Sequence, residues 1–154
     1  MKKTIQFLMF LLVLAGSAVA ANAQNPFTWR ANVKMKNATD GEVIIKVGVA
    51  DGWHLYGMNL PKGGPKATVF DFSKSAGVKF TGSVTPSVSP VEKVDKMFNL
   101  KLSYWTSDVT FRQKFKVTDK AKAKIVGTVS YMGCNDVTCS APKTFDFTKN
   151  VVVK

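Results

Sequence analysis

Apolar and polar residues alternate one for one along much of this chain. Phe27, Trp29, Ala31, Val33 and Met35 fall on one side of residues 27–35, and Thr28, Arg30, Asn32 and Lys34 on the other. A period of two predicts a strand with one buried face. The pattern is clearest over residues 109–117, where Phe111, Gln113, Phe115 and Val117 oppose Arg112, Lys114 and Lys116. Residues 42–50, rich in Val and Ile, predict a strand returning from a turn at 37–41, where Asp-Gly tolerates positive φ. Further short strands are expected at 53–58, 68–72, 78–81, 123–132 and 143–153. Loops are expected at PKGGP (61–65) and PSVSP (86–90). Lys120, Lys122 and Lys124 are expected on a solvated strand face. No segment carries a helical period. Eight or nine short strands separated by turns predict one all-β domain, an antiparallel β-sandwich of Ig-like architecture.

The N-terminus breaks the pattern. Lys2 and Lys3 precede an apolar run, residues 5–15, too short to span a bilayer. Ala21-Asn22-Ala23 fits a cleavage site, and Ser17 stands where a lipoprotein would need Cys. A signal peptide over 1–23 and an exported domain over 24–154 are expected, periplasmic and without stable membrane insertion. Cleavage removes two lysines and no acid, so the net charge falls from +12 to +10. The lysines are scattered, not gathered into a basic tract. That charge favours acidic partners or an anionic membrane surface and is not by itself a nucleic-acid signature.

An exported domain changes what its cysteines mean, because disulfides persist there. The only two, Cys134 and Cys139, lie in YMGCNDVTCSAP. They are too close in sequence for the inter-sheet bridge of an Ig domain. As a staple, so small a ring contributes about 2 kcal/mol. As a redox pair, one thiol would form a mixed disulfide with a partner and the other would resolve it. Spacing leaves the two readings even. Nothing local lowers a thiol pKa, and Asp136 inside the ring would raise it. One histidine is too few for a zinc site, and no metal or other cofactor is expected. A copper(I) site would need Met58, Met97 or Met132 to converge on the cysteines.

Three stretches shift the balance: Gly133-Cys134 to Cys139 followed by Pro142, DGWHLY at 51–56, and KMFNLKLSYWTSDVTF at 96–111. In order and spacing they resemble the N-terminal periplasmic domain of the thiol:disulfide interchange protein DsbD, over most of residues 24–154. The resemblance implies an Ig-like sandwich that passes electrons from a thioredoxin-like donor to thiol-protein acceptors. The partners it implies are thioredoxin-like redox proteins, a membrane electron-transfer protein, and periplasmic disulfide isomerases or cytochrome-maturation thiol proteins. With no thioredoxin domain in this chain, these are expected to be separate proteins. The resemblance makes Cys134 and Cys139 the redox pair and Cys139 the contact with the acceptor. It makes Phe98 an aromatic cap and His54 and Tyr56 the lining of the site. This chain departs from the family in three ways: a loop one residue tighter, Lys96 and Met97 in place of acids beside the cap (with Asp95 close by), and His54 in place of an aromatic. The plainer expectation makes Phe98, His54 and Tyr56 ordinary packing residues in a non-catalytic Ig-like binding domain with a structural loop disulfide. Access to the sulfurs separates the two.

Overall fold

The computed structural model describes residues 25–153; the expected signal peptide lies outside them. Eleven strands follow one another: β1 (Phe27–Met35), β2 (Asp40–Val49), β3 (His54–Tyr56), β4 (Val69–Asp71), β5 (Val78–Pro86), β6 (Val91–Asp95), β7 (Leu100–Trp105), β8 (Val109–Val117), β9 (Lys124–Tyr131), β10 (Gly133–Cys134) and β11 (Lys143–Asn150). No helix occurs among the described residues. All strand pairs are antiparallel. One sheet runs β1-β2-β8-β5; the others run β10-β3-β7-β6 and β11-β9-β4. The chain passes from β9 into β10 through Met132 alone, which ties the second and third sheets together.

The predicted faces of β1 and β8 are the buried ones. Phe27, Trp29, Phe111 and Phe115 lie in the main core with Val43, Ile45, Val47, Ile125 and Val129. Trp29 joins the layers, stacking on Phe111 of the first sheet and Phe145 of the third and packing against Tyr131. This aromatic seam holds the sandwich together by apolar burial and by ring geometry. Gln113 is the polar residue on the buried face of β8. Its amide donates to the carbonyls of Thr81 and Gly82, where the β5–β8 register slips between Thr81 and Thr85. A buried side chain thus satisfies carbonyls that the bulge removes from the ladder.

The structure corrects the expected strands in several places. β6 and β7 fill a region with no predicted strand. β5 runs on through the bulge to Pro86, which sits on an edge strand where a missing N–H costs no sheet bond. Lys120 and Lys122 lie in the turn before β9, not on a strand face, because the chain reverses there around Asp119.

β3 is only three residues long, yet it divides the interior. Leu55 enters the main core, while Tyr56 enters a second small cluster with Leu102 and Cys134. Strand alternation imposes that division. Across from Leu55 sits Gly133, where any Cβ would overlap the Phe27 ring and the His54 carbonyl. Glycine at this position lets β10 approach β3 closely enough to bring Cys134 beside His54.

Candidate functional site

The cysteines close a tight hairpin. β10 pairs with β3, setting Cys134 opposite His54, and Cys139 bridges back to Cys134. The Asn135 side chain accepts from the amides of Val137 and Thr138 at 2.9 and 2.7 Å, and the Asn135 amide donates to the Thr138 carbonyl. An asparagine capping its own turn is a common way to form so short a reversal. The two Cα atoms stand 3.9 Å apart, and Cys134 and Cys139 are joined as a disulfide. Their environments differ. Cys134 is 0 % exposed inside the second cluster, whereas Cys139 is partly exposed at its edge.

The aromatic residues converge on this bond. The Tyr56 hydroxyl lies 3.0 Å from Cys134 Sγ and 2.9 Å from Asp95 Oδ2. A phenol has one proton and here faces two acceptors, so it can satisfy only one at a time. Burial, reinforced by Asp95, raises the Tyr56 pKa well above the usual tyrosine range, so the hydroxyl stays protonated. Phe98 sits edge-on to Tyr56, ring centroids 6.1 Å apart, and packs against the cluster that holds the cysteines. His54 lies edge-on to Tyr56 at 5.1 Å and against Tyr104 at 4.6 Å. The structure therefore brings Cys134, Cys139, Phe98, His54 and Tyr56 into one place.

Asp95 is the member that sequence reasoning passed over in favour of its neighbours. Its Oδ2 takes the Tyr56 contact, and its Oδ1 accepts from the amides of Met97 and Phe98 at 2.8 and 3.1 Å. One carboxylate thus ties the loop carrying Phe98 to the hydroxyl beside the buried sulfur. An Asp followed by two amide-donating residues at a turn is a readable signal. Asp136, expected to act on the thiols, is exposed at the hairpin tip.

His54 Nε2 is 4.0 Å from Asp95 Oδ2, too long for a hydrogen bond, and has no other partner among the described residues. Burial lowers the His54 pKa below its usual 6.5 and outweighs the opposing pull of Asp95 and Asp136. We therefore treat the pair as a neutral imidazole beside a carboxylate rather than a salt bridge. The unfolded chain takes up this proton before the folded one. Stability from this group is full above the unfolded value and is lost as pH falls through the lower folded value. Between pH 7 and pH 5, wild type is expected to lose stability faster than His54→Asn, by at most about 1.4 kcal/mol per pH unit. Thermal unfolding of both proteins at the two pH values measures the difference. Parallel curves would mean that the imidazole is not held neutral.

Comparison with known proteins agrees with this geometry. Residues 23–150 match the family described as thiol:disulfide interchange protein DsbD, N-terminal. No curated protein matches the chain. Among solved structures, the N-terminal periplasmic domain of ScsB from Proteus mirabilis superposes with a TM-score of 0.60 at 18% identity. The match covers 80% of this chain and 46% of the other, so this chain spans less than half of that solved domain. The N-terminal domain of DsbD from Neisseria meningitidis, in its reduced form, superposes with a TM-score of 0.50 at 19% identity, covering 74% of this chain and 86% of that one. At such identities the superpositions carry the fold alone, and the fold is the expected Ig-like β-sandwich. The match over residues 23–150 carries more: this chain belongs to the family of the N-terminal domain of the thiol:disulfide interchange protein DsbD.

Proposed function

We propose that this domain is a periplasmic electron carrier, cycling Cys134 and Cys139 between disulfide and dithiol. It takes electrons from a thioredoxin-like donor, supplied by a membrane electron-transfer protein, and passes them to thiol-protein acceptors such as disulfide isomerases or cytochrome-maturation proteins. The observation that carries this function is the asymmetry of the pair, with one sulfur reachable and the other buried against a phenol. No helix of the described residues is long and apolar enough to cross a membrane.

In the reducing step, a donor thiolate attacks Cys139 Sγ. The disulfide breaks, the electron pair goes to Cys134 Sγ, and a mixed disulfide joins donor and Cys139. Tyr56 then turns its proton from Asp95 toward the new Cys134 thiolate, stabilising the charge where it develops. The donor's second thiol attacks its own mixed-disulfide sulfur and releases Cys139. The donor dithiol becomes a disulfide; its two electrons reduce the Cys134–Cys139 bond, and the two protons it gives up to solvent are matched by two taken from solvent as Cys134 and Cys139 become thiols. Delivery to an acceptor runs the same steps backward. Apolar side chains that stand exposed around the bond, Val94, Met97 and Val137, offer a partner protein a surface to bury.

The test is the reduction potential of the pair in glutathione or dithiothreitol buffers, with unfolding of both forms measured alongside. A carrier is expected to fall roughly between −270 and −180 mV, with both forms folded. A potential below roughly −300 mV, with a large loss of stability on reduction, would replace the carrier with the binding domain and its structural disulfide.

A further inference from the structure

The loop carrying Phe98 brings a third sulfur to the site. Met97 Sδ stands 3.6 Å from Cys139 Sγ, and Met97 is 55% exposed. The contact links residues far apart in sequence and depends on Asp95, whose Oδ1 holds the Met97 amide at 2.8 Å. Phe98, not Met97, packs into the cluster that holds the cysteines.

We propose that the reduced protein binds one copper(I) ion through Cys134, Cys139 and Met97. This rests on the pair being reducible in the folded domain. Copper(I) is a soft cation that prefers thiolate and thioether ligands. At metal–sulfur distances of about 2.3 Å, as for thiolate on zinc, a trigonal site holds its sulfurs roughly 4 Å apart. Cys139 and Met97 already stand near that separation. Opening the disulfide releases the two cysteine sulfurs, which the hairpin keeps side by side because their Cα atoms remain opposed. Binding changes no oxidation state: copper(I) enters, and the two thiols lose their protons to solvent.

The other donors nearby favour copper(I) over zinc. Among the described residues, no group of three His, Cys, Asp or Glu side chains is arranged to hold a metal. Zinc commonly takes four ligands from Cys, His and carboxylates, and a thioether contributes little to it. Two thiolates around copper(I) leave one excess negative charge. In the adjoining groove Lys93 and Lys96 balance Asp95 and Asp136, so the surroundings add no further negative charge. The exposed thioether lies on the solvent side, giving the ion a way in beside Cys139 rather than through the buried Cys134.

The experiment uses protein residues 24–154, reduced with a phosphine, desalted without oxygen and assayed for thiols and for fold. Copper(I) is then titrated in competition with bicinchoninate. One equivalent is expected to be retained. Met97→Leu is expected to weaken binding at least about tenfold with its fold and thiol count unchanged. Equal affinity in wild type and Met97→Leu, or no retention by folded protein with two reactive thiols, would overturn the copper site and leave the carrier intact. Failure to obtain two thiols in the folded state would overturn both.

Discussion

Cys134→Ser is expected to accumulate a mixed disulfide with a thioredoxin-like partner that lacks its own resolving cysteine, and Cys139→Ser is not. Both variants lose two-electron exchange, since each retains one sulfur. They differ in which sulfur a large partner can reach. Cys139 lies at the edge of the hairpin, while Cys134 is buried beneath Tyr56, Leu102 and Phe98. If exposing Cys134 takes about 3 kcal/mol of local opening, trapping through Cys139 is favoured on the order of a hundredfold. Non-reducing electrophoresis of the two variants after a fixed reaction time measures the ratio. Equal yields would mean that the hairpin opens freely, and the reachable and buried sulfurs would lose their separate roles.

Phe98→Ala is expected to speed reduction of the disulfide by a small thiol. The ring packs against the cluster that holds both cysteines and meets Tyr56 edge-on. Removing a largely covered aromatic shifts the covered-to-open balance by about 1.5–3 kcal/mol, or ten- to a hundredfold in access. Stopped-flow reduction by dithiothreitol measures the rate directly. An unchanged rate with normal stability would make Phe98 a bystander. A fall in stability with an unchanged rate would make it ordinary packing. The expected cost to the protein is selectivity, because small thiols and proper partners would then compete for the same bond on more equal terms.

Sequence alone made some of this legible and some not, for reasons that lie in the residues. β1 and β8 each carry a full period-two pattern because each has one face in the core and one in water, and their bounds came out as expected. β6 has no such pattern: Val91, Glu92, Lys93 and Val94 are all exposed on an edge strand, so no periodic burial marks them. β7 hides for another reason: its two buried residues, Leu102 and Trp105, face opposite sides, one into each cluster, so no single buried face marks the strand. The motifs singled out the cysteines, Phe98, His54 and Tyr56, and the fold brings them together. The turn that Asp95 caps was readable locally, but its contact with Tyr56 across 39 residues of sequence was not. The Met97–Cys139 contact spans 42. Periodicity reports how a residue sits on its own strand. It does not report which loop will fold over which sheet.

The divided interior has a further consequence for how such a protein can change over generations. Because Leu55 faces one cluster and Tyr56 the other, two demands fall on adjacent residues without meeting in the same space. Substitutions around the disulfide can retune its chemistry or its choice of partner while the Trp29–Phe111 seam continues to specify the sandwich. If the domain carries electrons as proposed, lineages can change partners by drift at the rim, and Gly133, crowded by Phe27 and the His54 carbonyl, is a position where a change would disturb both regions at once.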